Sequence, residues 1–250
     1  MLVSVQTRAL PSAGDAVVAR RRTAAQCCGV ISSLVLVVLG ITSLPAGAQP
    51  SAAAPTSVLA SPSPPPALKA FANAWDGVTA YSATVTTFEQ KGSNVQNMVF
   101  DYSFRKPSSV IVRILKGPNT GVTLKWDGGT TMQASRGRGF FAALFKRTIS
   151  LHDPLVTTIR GSSINELSYG ALLAHAEQTP GTLSQSAGET IDDVPTEAFS
   201  LIPADPGADA GFTREVMEIS SATQLPIRIL GYEGTTLVRK VDFADVKPAK

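Results

Sequence analysis

The sequence predicts an α+β protein: one curved antiparallel sheet with helices covering one of its faces. Three observations carry this. Alternating apolar and polar residues recur from Tyr81 to Ala134 with short connections between the runs. A second set follows from Phe199 to Phe243, and segments of helical periodicity lie before the first set and between the two. Parallel strands would need crossovers of a dozen or more residues, which the first set's spacings do not provide, so its strands form an antiparallel meander.

The elements follow in order. Leu68, Phe71, Ala72 and Trp75 recur at helical spacing within Ala67 to Val78, and Gly77 closes that helix. Tyr81, Ala83 and Val85 then alternate with Ser82, Thr84 and Thr86 until Gly92-Ser93-Asn94. The second strand is the clearest, with Met98, Phe100, Tyr102 and Phe104 on one face against Asn97, Asp101, Ser103 and Arg105; Pro107 ends it. Val110 to Leu115 is apolar on both faces except at Arg113. After Gly117-Pro118-Asn119, Val122, Leu124 and Trp126 alternate, and Asp127-Gly128-Gly129 turns the chain into Thr130 to Ala134.

The middle changes period. Gly139 to Ile149 carries Phe140, Phe141, Leu144 and Phe145, flanked by Arg136, Arg138, Lys146 and Arg147, and predicts a helix. Ser163-Ile164-Asn165-Glu166 has the form of a capping box, which starts a second helix with Pro180 beyond its end. Gly181 to Gly211 holds six acids and no Lys or Arg, and reads as a solvated edge and loops. Strands return after Gly188, at Phe199–Leu201, Val216–Ile219, Ile227–Leu230 and Leu237–Phe243.

The first 48 residues read as an export leader. Arg20-Arg21-Arg22 precedes a low-polarity run from Ala24 to Leu44, and Ala46-Gly47-Ala48 offers the small residues that suit cleavage before Gln49. The alternative is a membrane anchor over residues 27–44, against which Gly40, Thr42 and Pro45 speak. Cys27 and Cys28 leave with the leader, so the mature chain has no cysteine for thiol catalysis, metal ligation or disulfides. Residues 49–66, rich in Pro, Ala and Ser, form a disordered spacer, and residues 67–250 form the folded domain.

Composition narrows the function. The chain has 250 residues, 44% hydrophobic and 16% charged, with a net charge of +3. Arg8, Arg20, Arg21 and Arg22 against Asp15 supply that excess, so the remainder carries equal numbers of bases and acids. A neutral domain lacks the clustered charge that phosphate backbones require, and nucleic acid is not its partner. No nucleophile elbow, phosphate loop, zincin motif, EF-hand or dinucleotide fingerprint is present, and no cofactor or metal is expected. His152-Asp153-Pro154 reads as a polar turn, His175 as a partly buried or solvent-exposed helix residue and not a ligand, and Asp192-Asp193 as carboxylates facing opposite ways on a strand.

Four blocks carry a resemblance to the periplasmic lipoprotein-carrier (LolA/LolB-like) family. They are Val78-Thr79-Ala80-Tyr81-Ser82-Ala83 with Phe88-Glu89-Gln90-Lys91-Gly92; Phe104-Arg105-Lys106-Pro107; Trp126-Asp127-Gly128-Gly129-Thr130; and Gln224-Leu225-Pro226-Ile227-Arg228 with Val241-Asp242-Phe243-Ala244-Asp245-Val246. The resemblance implies an unclosed half-barrel whose concave face is covered by helices, and an apolar groove for acyl chains. In that family an arginine before the matching proline governs lipid hold; here the position is Lys106, a point charge without a planar fork. The family also continues with a further strand segment where this sequence ends at Lys250, which bears on transfer to an outer-membrane acceptor.

The expected function is that of an exported, monomeric, non-enzymatic binding protein for lipid or lipoprotein acyl chains. Met98, Phe100, Tyr102, Phe104, Val110, Val112 and Trp126 would line the groove, Lys106 or Arg113 would meet a polar head, and Phe140, Phe141, Leu144 and Phe145 would form a lid. The same side chains packed as a core would instead suit an envelope sensor or assembly module with a protein partner. A hydrolase using His152 and Asp153 is the third alternative.

Overall fold

The computed structural model describes residues 64–137 and 146–249. Helix α1 (Pro66–Asp76) begins on a proline, whose missing N–H costs nothing in a first helical turn. Strands β1 (Ala80–Lys91), β2 (Asn94–Arg105), β3 (Ser109–Lys116), β4 (Val122–Trp126), β5 (Thr131–Arg136) and β6 (Arg147–Ser150) follow. A 3₁₀ turn (Ile164–Leu167) and helix α2 (Tyr169–Gln178) lead to β7 (Gly181–Ile191) and β8 (Val194–Pro203). After a second 3₁₀ turn (Pro206–Ala208) come β9 (Arg214–Ser220), β10 (Pro226–Glu233) and β11 (Thr236–Ala249).

All eleven strands join one antiparallel sheet in the order β6-β5-β4-β3-β2-β1-β11-β10-β9-β8-β7. Two meanders are thus fused by the pairing of β1 with β11, and the edge strands β6 and β7 do not meet: the half-barrel is unclosed.

Register explains which face is apolar. Across β1 and β2, Tyr81 lies opposite Phe104, Ala83 opposite Tyr102 and Val85 opposite Phe100. Those rows continue to Val110, Val112 and Ile114 on β3 and, through Phe243 and Val241, to Ile229, Met217 and Phe199 on the other half. Leu68, Phe71 and Trp75 of α1 and Tyr169 and Leu172 of α2 are buried in the same core. Each such side chain contributes about 1.5–3 kcal/mol through its burial.

The structure differs from the sequence reading in four places. Residues 147–149, assigned to the end of a helix, fall in edge strand β6, with Ile149 opposite Met132; alternation of Arg147, Ile149 and Thr148, Ser150 suits a pleat. Ser163 caps no helix; Ser168 caps α2 instead, its Oγ accepting from the Ala171 N–H at 3.2 Å. The acidic stretch from Gly181, read as a solvated edge and loops, does lie at the sheet's edge, but as hairpin β7–β8, mostly exposed along β7. Asp192 and Asp193 form that hairpin's two-residue turn with φ of 47° and 62°, a left-handed pair that Asp tolerates better than most residues. The leader, residues 49–63 of the spacer and the lid residues Phe140, Phe141, Leu144 and Phe145 lie outside the described residues.

Candidate functional site

The groove residues expected on β2–β4 occupy an aromatic core. Phe100, Tyr102, Phe104, Val110 and Val112 are buried, and Met98 and Trp126 pack at its margin. Tyr81 stacks on Tyr169 with ring centres 4.3 Å apart, and Trp75 meets Phe104 at 5.4 Å. Burial pushes the Tyr81, Tyr102 and Tyr169 hydroxyls well above the ordinary tyrosine range, so all three stay neutral. Arg113 is exposed on the opposite face, between Asp101 and Thr123. Lys106 donates from Nζ to the Trp75 carbonyl at 2.7 Å and lies 4.3 Å from that residue's ring centre. His152 is exposed, while Asp153 Oδ1 accepts from the Leu155 N–H at 2.9 Å, an Asx turn and not a dyad.

The large opening lies elsewhere on the helix-covered face. A cleft of about 700 Å³ sits where α2, the loop carrying the second 3₁₀ turn, and strands β8–β10 meet. Leu172, Ala176, Phe199, Leu201, Met217 and Ile229 give it apolar walls. A second cavity of about 60 Å³ lies beneath the segment Pro154–Leu167 and includes Met98 and Phe100 in its lining; Ser162 and Arg239 line both spaces.

Charged groups gather at the large cleft. His175 Nε2 is 2.6 Å from Glu215 Oε1 and 3.5 Å from Asp209 Oδ1, while its Nδ1 is 3.2 Å from Thr179 Oγ1. Arg239 approaches Glu89 at 3.6 Å and the second oxygen of Glu215 at 4.0 Å. The hydrogen bond with Glu215 raises the His175 pKa above the ordinary value, outweighing burial. Burial, reinforced by the Glu215 charge, raises Asp209 to about 6. Burial opposes ionisation of Glu215 as well, but His175 and Arg239 outweigh it and hold this carboxyl below the usual range.

Arg160 frames one side. Its buried guanidinium donates to the carbonyls of Gln90 and Ala210 at 2.7 and 3.0 Å and pairs with Glu233 at 2.8 Å. Phe212 lies beneath, its ring centre 5.2 Å from the Arg160 and 5.7 Å from the Arg239 guanidinium carbon. Gly231 makes this packing possible: a Cβ there would stand 2.6 Å from the Phe212 ring.

Sequence reasoning placed His175 on a helix but did not connect it to Asp209 or Glu215. One signal was available. Glu215 shares a strand face with Met217 and Ile219, Arg239 with Val241 and Phe243, and Glu89 with Val85 and Thr87. Charges in apolar registers require partners, and here Arg239 finds Glu89 on the adjacent strand β1 and Glu215 on β9 across Gly231 of β10.

No family model matches this chain, and no curated protein matches it. Solved structures do. The lipoprotein LppX of Mycobacterium tuberculosis matches at 14% identity and a TM-score of 0.43 over 74% of this chain and 92% of its own. LprF from Mycobacterium bovis matches at 13% and 0.41 over 75% and 96%. A LolA superfamily protein from Nitrosomonas europaea matches at 11% and 0.32 over 73% and 94%.

Proposed function

We propose that the chain is an exported, non-enzymatic binding protein that holds an amphipathic ligand, a lipid or the acyl chains of a lipoprotein, in the cleft at α2 and β8–β10. The observation that carries this reading is the cleft's two-part lining: aliphatic and aromatic walls, with His175, Asp209, Glu215 and Arg239 gathered on one side. Its volume of about 700 Å³ falls within the roughly 300–1,000 Å³ of small-molecule sites. Each methylene moved from water onto such walls contributes about 0.8 kcal/mol, so a medium-length chain suffices for stable binding. The cavity beside Met98 and Phe100 borders the cleft at Ser162 and Arg239. In this reading residues 1–48 direct export, with cleavage before Gln49, and residues 49–65 are a spacer ahead of α1.

Native mass spectrometry of the delipidated full chain, reloaded with a long-chain fatty acid, tests the proposal. The expected result is a single retained ligand. Ala171→Trp, which places an indole at a half-buried position of the cleft wall, lowers uptake at least about tenfold, the loss of roughly 1.4 kcal/mol. Absence of uptake by the unmodified chain, or capture of a polypeptide terminus in place of lipid, overturns it.

A further inference from the structure

We propose that His175, Asp209 and Glu215 form a divalent-cation site, of the nitrogen and oxygen type that suits Zn²⁺, in the wall of the cleft. One ligand atom from each lies within 4.8 Å of the others. Zn²⁺ holds imidazole nitrogen and carboxylate oxygen at about 2.0–2.2 Å, which sets tetrahedral ligand atoms about 3.3 Å apart. The His175–Asp209 distance of 3.5 Å is already close to that value. The His175–Glu215 distance of 2.6 Å has to open by about 0.7 Å, as a proton gives way to the larger ion.

The surroundings point to a cation independently of the three ligands' spacing. Asp209 is 9% exposed, and its second oxygen, Oδ2, is buried with no hydrogen-bond donor among the described residues. Glu89, 3% exposed, likewise leaves Oε2 without one. Glu89 and Glu215 thus share Arg239, and Asp209 lies beside them against His175, while Arg160 is committed to Glu233 and two carbonyls. A bound divalent ion offsets that excess of acid.

Arg239 stands on the Oε2 side of Glu215, leaving Oε1 on the His175 side. Thr179 Oγ1 contacts Nδ1 of His175 and fixes the ring so that Nε2 points to the carboxylates. The ligands come from α2, from the residue after the second 3₁₀ turn and from β9, so an ion would tie the helix and the loop to the sheet. Because all three residues line the cleft, the remaining coordination position opens into it, as in zinc sites with three protein ligands.

Isothermal titration of ZnCl₂ alone into the full chain tests this, with Cys27→Ser and Cys28→Ser removing competing thiolates and no histidine tag. The expected result is one ion per chain. Affinity falls more than about 100-fold in both His175→Ala and the nearly isosteric Asp209→Asn, beyond the roughly 10–100-fold that an outer-shell partner costs. His152→Ala, at the chain's other histidine, binds as the parent does. Thermal unfolding of each variant without zinc verifies its fold, and His175→Gln replaces His175→Ala if that protein does not fold. Weak uptake at several sites, equal uptake by the parent and Asp209→Asn, or loss with His152→Ala would each overturn the proposal.

Discussion

The ammonium of Lys106 caps the C-terminal end of α1: its Nζ lies 2.7 Å from the Trp75 carbonyl oxygen and 3.4 Å from that of Asp76. The charge meets the negative end of the helix dipole, adds a second donor to the Trp75 carbonyl that the Val78 N–H reaches at 3.0 Å, and rests over the indole. The position at which the resembling family carries a lipid-controlling arginine is thus engaged in joining β2 to the first helix. Lys106→Met is expected to lower stability by about 1–2 kcal/mol, from a charge-assisted hydrogen bond and a cation–π contact. Urea unfolding measures that loss, and fatty-acid uptake by the folded variant stays at the parent level.

Two buried tyrosines behave differently. Tyr169 donates its hydroxyl to the Pro226 carbonyl at 3.0 Å, whereas the Tyr102 hydroxyl has no hydrogen-bond partner within 3.5 Å among the described residues. Tyr169→Phe therefore strands a buried carbonyl and costs about 1–2 kcal/mol. Tyr102→Phe changes stability by less than about 0.5 kcal/mol, or raises it, because it removes an unsatisfied polar group. Chemical denaturation of the pair gives the contrast directly.

Arg160 binds three separate segments: the end of β1, the loop at Ala210 and the end of β10. Arg160→Met keeps much of the side-chain volume over Phe212 but loses these hydrogen bonds. A loss of about 2–3 kcal/mol is expected, smaller than for a fully buried ion pair because Glu233 remains half exposed. Hydrogen exchange should accelerate first in the segment Pro154–Ser168 and in the loop after β8, while β1–β3 stay protected.

Zinc at 100 times its dissociation constant adds about 2.7 kcal/mol of stability, or about 5–10 °C in Tm for a domain of this size. A chelator reverses the shift. Thr179→Val, which removes the contact to His175 Nδ1, weakens zinc binding by about 10–100-fold without abolishing it.

Much of the sheet was legible because its central strands bury one face. The alternation from Met98 to Phe104 and the helical spacing of Leu68, Phe71 and Trp75 both translate directly into core positions. β7 was not legible: at the sheet's edge its Thr, Ser, Gln and Ala residues are largely exposed, and no apolar period marks them. β6 is four residues long and borrows its conformation from β5. The cleft was hidden for another reason. His175, Asp209 and Glu215 belong to a helix, a loop and a strand, and their meeting depends on how α2 lies over β9, which no local pattern records.

Where an acyl chain sits is the central question, and photo-crosslinking with a diazirine-bearing fatty acid answers it most directly. Labelled peptides of the full chain are then mapped by mass spectrometry. The label is expected on α2 and β8–β10, at cleft residues such as Leu172, Leu201 and Met217, with weaker labelling at Met98 beside the inner cavity. Label confined to Val110, Val112 and Trp126 on β3 and β4, or none above background, would contradict the assignment.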